Sequence, residues 1–191
     1  RLARVIQKKE SNYDTDIFKP IIGEIEKISG ISYGFDEKSD IAIRVIADHL
    51  RAVSFCIADG QIPSNTGAGY VVRRILRRAI RYAYTFLNIE KPFIFKLVNV
   101  LSNQFKDSFN EINKQKSHIQ SIIEQEEKSF LRTLSQGINR LNIIINESNS
   151  KQIDAKDVFE LYDTYGFPAY LTELILNEHN KIFDQSDFNL F

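Results

Sequence analysis

The chain has 191 residues, of which 43% are hydrophobic and 26% charged, with 25 basic and 25 acidic side chains and a net charge of zero. This is ordinary soluble globular composition, at a length that suits one or two packed domains. A single cysteine, Cys56, excludes an internal disulfide and points to the cytoplasm, and no apolar run approaches the ~20 residues of a membrane span.

In chain order, Leu2 to Lys9 reads as a short helix and Ser11 to Asp14 as a turn. Asp14 or Thr15 can cap a second helix with Ile17, Phe18, Ile21, Ile22, Ile25 and Ile28 at helical spacing, ending at Gly30. Ser39 or Asp40 can cap a third helix whose apolar positions are Ile43, Ile46, Leu50, Val53 and Ile57. Cys56 in this helix reads as a small buried hydrophobe. His49 beside Asp48 reads as a partly buried structural pair, since no nucleophile lies near them in sequence.

A polar, glycine-rich loop over 60–69 then feeds a helix over 67–86 that carries Arg73, Arg74, Arg77, Arg78 and Arg81. At about 100° per residue, all five fall on one face, within about 140° of each other. Val72, Ile75, Leu76, Ala79 and Ala83 fall on the opposite face, so one side of the helix is a core stripe and the other a guanidinium surface. Like charges at i,i+4 repel, and no acid lies between Arg73 and Arg81. A counter-charge must come from outside the helix: a polyanionic nucleic acid first, acidic side chains elsewhere in the fold second. The loop also leads into a helix N-terminus, whose free N–H groups favour an anion such as phosphate. Arginine forks match phosphate geometry.

Pro92 opens a buried helix with Phe93, Phe95, Leu97, Val98, Leu101 and Phe105. From Glu111 to Glu147 a seam of Ile119, Ile123, Phe130, Leu134, Ile138, Leu141 and Ile145 predicts one helix of about 37 residues. Glu126 fills one seam position. An intramolecular strut fits this short, partly polar seam better than a coiled-coil dimer. After a break over 146–150, Asp154 caps a helix from Ala155 to Asp163, with Asp157 at N3. Tyr165-Gly166-Phe167-Pro168 separates it from a helix with Leu171, Leu174 and Ile175, and Asp184 caps a last one. The predicted fold is therefore all-α: two helical subdomains, 1–110 and 151–191, joined by a long helix of about 35–40 residues over 111–150.

Charge is distributed unevenly along this plan. Residues 44–81 carry seven arginines and two acids, a net +5, and residues 151–191 carry three lysines and eight acids, a net −5. His49, His118 and His179 lie far apart and form no metal motif with the single cysteine. Gly67-Ala68-Gly69 lacks both a preceding strand and a third glycine, which excludes a dinucleotide fingerprint. Recognition, not catalysis, is the chemistry left.

Four stretches carry a resemblance: Arg44-Val-Ile-Ala-Asp-His-Leu-Arg, then Ala58-Asp-Gly-Gln-Ile-Pro-Ser-Asn, then Gly69-Tyr-Val-Val-Arg-Arg-Ile-Leu-Arg-Arg-Ala, then Leu161-Tyr-Asp-Thr-Tyr-Gly-Phe-Pro. In order and spacing they resemble the alanyl-tRNA synthetase family, over essentially the whole chain. The opening Arg1-Leu2 resembles the end of the ATP-binding motif 3 of class II synthetases. On that resemblance the chain is an excised piece, the helical tRNA-recognition middle domain. The Mg-ATP-dependent adenylation core would lie upstream, and the editing domain, with its zinc, downstream.

The resemblance further implies a partner, the acceptor stem of tRNA(Ala), and a target, a G·U wobble pair. The family's two identity-reading residues fall on Asn65 and Asp163, which residue type alone would make turn or cap residues. A carboxylate accepts from the guanine amino group that a wobble pair leaves open in the minor groove, and an amide both donates and accepts. The five arginines would hold the backbone. The sequence departs from the family at Ala68, where many members carry a basic residue. The expected chain is monomeric, cytoplasmic and non-catalytic alone. A helical dimerisation module and a non-specific RNA binder are the alternatives.

Overall fold

The structure is a computed structural model that describes residues 2–148 and 150–188. The described residues form ten α-helices and one 3-10 turn joined by loops, and β-pairing among them is limited to a single parallel bridge between Gln152 and Ile182. The fold is all-α.

The chain divides into two compact units, and the division falls inside the longest helix, between Lys128 and Ser129. The first unit begins with α1 (Leu2–Ile6), a 3-10 turn at Asn12–Asp14, and α2 (Lys19–Ser29). Ser11 and Asp14 close a capping box on the turn, so neither Asp14 nor Thr15 caps α2. The helix starts at Lys19 because Pro20 suits a first turn but no later position. Ile21, Ile22 and Ile25 are its buried face, and left-handed Gly30 ends it.

α3 (Glu37–Ala58) starts one turn earlier than the spacing predicts. Asp36 is its cap, accepting from the amides of Lys38 and Ser39 at 3.0 and 3.1 Å; hydrogen bonding from the Ser39 side chain first, then from the Ser39 and Lys38 amides, holds its carboxyl below its ordinary pKa. Asp40 instead accepts from the Gly34 amide at 2.7 Å and ties down the preceding loop. Ile43, Ile46, Leu50, Val53 and Ile57 are all buried, as their spacing predicts, while Cys56 is only half-buried. His49 Nδ1 stands 3.6 Å from Asp48 Oδ2.

α3 packs chiefly against α4 (Gly67–Leu87), whose buried stripe includes Val72, Leu76 and Ala79. α5 (Ile94–Phe105) packs on α2 and α3, burying Ile94, Leu97, Val98 and Leu101. The predicted 37-residue helix is two helices, α6 (Asn110–Lys114) and α7 (Lys116–Glu147), broken at Gln115. The Gln115 side chain donates to the Ala58 carbonyl at the end of α3, at 2.9 Å. The residue at the break thus makes a tertiary bond that the seam pattern does not reveal. α7 still runs for 32 residues, about 48 Å.

Two adjacent acids on α7 belong to the first unit. Glu127 is 1% exposed. Its carboxylate accepts from the backbone amides of Phe93, Ile94 and Phe95 at 2.9, 2.9 and 3.0 Å, and so caps α5 from a neighbouring helix. Burial outweighs these bonds and pushes its pKa up to about 7.

The second unit holds the remainder of α7, with α8 (Ala155–Asp163), α9 (Ala169–Glu178) and α10 (Gln185–Phe188). Asp154 caps α8 as its position predicts, accepting from the Lys156 amide at 2.9 Å. Asp184 likewise accepts from the Ser186 amide at the start of α10. Buried Phe167 sits against Gly137 of α7, where an added Cβ would lie 2.1 Å from the ring. Only glycine admits this approach. Arg140 and Glu160 pair at 3.2 Å between α7 and α8.

Candidate functional site

The loop before α4 folds back on the helix's own first turn. Ser64 donates its amide to the Gly69 carbonyl at 3.0 Å and its hydroxyl to the Thr66 carbonyl at 2.8 Å. A Cβ at Gly69 would lie 2.3 Å from the Ile62 carbonyl oxygen and 2.4 Å from Ser64 Oγ, so this closure requires glycine. Asn65 stands exposed on the loop. Thr66 is the N-cap, but its side chain makes no capping bond.

The five arginines do not share one environment. Arg74 and Arg78 are exposed, with Tyr70 and Val71 exposed one turn earlier. Arg73 and Arg77 are half-buried, and both turn to Glu126. The Arg77 Nε donates to Glu126 Oε1 at 2.7 Å, and the Arg73 Nε lies 3.2 Å from the same oxygen. Arg73 Nη1 also donates to Asn65 Oδ1. Arg81 is 2% exposed, its guanidinium 5.3 Å from the Tyr82 ring centre and 5.5 Å from that of Phe86.

These placements correct the helical-wheel expectation of a uniform exposed face. Arg81 lies in the half of α4 that is buried on nearly every side, together with Ala79, Ile80, Tyr82 and Ala83. A wheel projects all turns onto one circle and cannot show that a helix sinks into the core along its length. An exposed backbone-holding role for Arg81 is thereby excluded in this conformation. For Arg73 and Arg77 the offsetting charge is within the fold, on Glu126.

Sequence reasoning treats Glu126 as a polar gap in an apolar seam. At 8% exposure it is a buried anion, and a buried charge is tolerated only when paired. Two consecutive acids, Glu126 and Glu127, at the seam of a long amphipathic helix are the signal that marks them. One faces arginines and the other faces backbone amides.

In the second unit, Asp163 is exposed and is the last residue of α8. A carboxylate there meets the negative end of the helix dipole, so helix stability does not favour this choice of residue. Beneath it, Phe167 donates its amide to the Leu161 carbonyl at 2.9 Å and anchors the turn that follows. The structure thus places Asn65 in one unit and Asp163 in the other, both exposed. Arg1 lies outside the described residues. Among the described residues, no group of three or more His, Cys, Asp or Glu side chains could hold a metal ion, and no helix is long and apolar enough to cross a membrane.

Comparison with known proteins adds three findings. The family model described as tRNA synthetases class II (A) matches residues 1–190. The chain is 57% identical over 188 residues to an alanine–tRNA ligase of Christiangramia forsetii, covering 98% of this chain and 22% of that protein. It is 54% identical to one of Cytophaga hutchinsonii and 52% identical to one of Flavobacterium psychrophilum, each over 99% of this chain and 22% of the relative. The chain therefore spans about a fifth of the length of the curated relatives it matches.

Proposed function

We propose, from the premise that this chain belongs to the family of class II (A) tRNA synthetases, that it is the part of an alanine–tRNA ligase that binds the acceptor stem of tRNA(Ala) and reads a G·U pair there. The whole ligase would join alanine to tRNA(Ala) with ATP, in the cytoplasm. ATP with Mg, and zinc for editing, belong in this reading to the rest of such a ligase. This chain is assigned binding and base reading, as a monomer without catalytic activity of its own.

The observation that carries the reading is the arrangement around α4. An amide side chain, Asn65, stands exposed beside a helix that offers exposed Arg74 and Arg78. Arginines that reach phosphates supply affinity without sequence preference, and they set the register in which a base-reading side chain meets its groove. Asn65 and Asp163 are the proposed base readers. An acceptor carboxylate suits the free guanine amino group of a G·U pair and is repelled by phosphate, which places Asp163 at a base edge. Asp163 at the C-terminal end of α8 gains nothing from the helix dipole, which fits a residue retained for contact. Arg73 and Arg77, with a counter-ion already in place, serve the loop more than the RNA backbone.

The test is binding of the 191-residue chain to two acceptor-stem hairpins that differ only in G·U against G·C, measured across a salt series. Preference for G·U with a falling affinity in salt is expected. Replacing Arg74 and Arg78 together by alanine should weaken both hairpins alike and flatten the salt slope by about two. Equal binding of the two hairpins by the unsubstituted chain refutes base reading, and a tight dimer that ignores both hairpins favours a protein-interaction module instead.

A further inference from the structure

We propose that Glu126, acting through Arg73, is a positioning residue for Asn65: it fixes the direction of the Asn65 amide so that the NH2 group faces the RNA. The inference rests on the RNA-binding reading above and goes beyond it, because it makes specificity depend on a buried side chain that touches no RNA.

An asparagine amide can flip about its last torsion, exchanging an acceptor oxygen for a donor nitrogen at the same place. A guanidinium has donors only. Because Arg73 Nη1 reaches Asn65, the atom it meets must be the oxygen, as it is here. The flip is decided, and the two N–H donors of Nδ2 are left for a ligand. Arg73 can do this only if it is itself held. Its Nε lies 3.2 Å from Glu126 Oε1, and Arg77 donates to that same oxygen at 2.7 Å from one turn along α4.

Charge supports the same chain of contacts. Arg73 and Arg77 stand at i,i+4, where two cations repel. One buried carboxylate offsets that repulsion: it accepts a hydrogen bond from Arg77 Nε and meets Arg73 Nε as an ion pair. An arginine fork can reach a carboxylate and an amide at once, whereas lysine is a point charge on a flexible stem. An outward donor pair on Asn65 selects an acceptor, such as uracil O2 in the minor groove. It leaves the guanine amino group to the carboxylate of Asp163.

The experiment measures the ratio of G·U to G·C hairpin affinity for the full chain and four variants: Glu126→Gln, Arg73→Lys, Asn65→Ala and Asn65→Asp. The expected result is that Glu126→Gln and Arg73→Lys each lower the ratio about as much as Asn65→Ala, roughly fivefold for one lost hydrogen bond, while the helical circular-dichroism signal stays unchanged. Adding Glu126→Gln to Asn65→Ala should lower the ratio no further, since the two residues act as one unit. Asn65→Asp, which turns the outward donor into an acceptor, should lose the preference as Asn65→Ala does. If the unsubstituted chain prefers G·U and both Glu126→Gln and Arg73→Lys keep that preference, the positioning role is overturned while the RNA reading stands. A melting-temperature drop with equal loss on both hairpins likewise overturns it and makes Glu126 a packing element only. Should Glu126→Gln fail to fold, Arg73→Lys, at a half-exposed position, decides the matter. If the unsubstituted chain shows no preference, the RNA reading itself has failed.

Discussion

The regions around Asn65 and Asp163 present an exposed polar side chain in two different ways. Asn65 is held through side chains, in a relay that runs from Arg73 to buried Glu126 and on to Arg77. Asp163 is held through backbone and packing: it ends a helix whose following turn is anchored by Phe167 against Gly137. The first device fixes the orientation of an amide, which has two unlike ends. The second fixes only position, which suffices for a carboxylate with two equivalent oxygens. The difference teaches that how much support a side chain needs follows from the symmetry of its own hydrogen-bonding groups.

Substitutions that act on one unit at a time separate the two devices. The largest effect is expected at Glu127, next to the relay. Glu127→Ala would orphan three amides at the start of α5 and cost about 3 kcal/mol in the first unit, measured by denaturant unfolding. The loss should depend on pH. Burial pushes the Glu127 carboxyl up to about 7 in the folded chain from an ordinary 4.5, so the folded state binds this proton more tightly than the unfolded chain does. Its contribution is fully present below about 4.5 and is lost as pH rises through about 7. The gap between the chain and the variant should therefore narrow from pH 5 to pH 8. A gap of constant size would mean that burial does not govern this carboxyl.

A smaller loss is expected in the second unit. Gly137→Ala gains about 1 kcal/mol of helix propensity, but the new methyl must displace the Phe167 ring from a 2.1 Å overlap. Overpacking of a buried ring costs about 1–3 kcal/mol, so a net loss of about 1 kcal/mol should appear in thermal unfolding. G·U preference should fall with it, because the turn after Asp163 moves. A stabilised variant would show that Phe167 does not pack on α7. The smallest effect is at Asp163 itself. Asp163→Asn removes an anion from a helix C-terminus, so the chain should gain about 0.5 kcal/mol while G·U preference drops. A variant with lost stability and unchanged preference would make Asp163 a structural residue.

The apolar spacing of α2, α3 and α4 and the Asp154 cap are written locally, at intervals of three and four residues, and were legible for that reason. So was the exposed position of Asn65, on a loop marked by glycine, proline and serine. The break at Gln115 was not: the seam runs through it without a glycine or proline, and the Gln115 side chain bonds to Ala58, 57 residues earlier in the chain. Nor was the division of the arginines. Their shared face follows from helical geometry, but which of them meets solvent, which meets Glu126 49 residues away, and which sinks beneath Tyr82 and Phe86 depends on how α4 enters the core. The sequence by itself determined the helices, their apolar stripes and the motifs that mark the family, because each is a short-range pattern. Only the tertiary structure decided the charge pairing, because a buried carboxylate chooses its partners by proximity in space, where weak solvent screening makes each pairing matter.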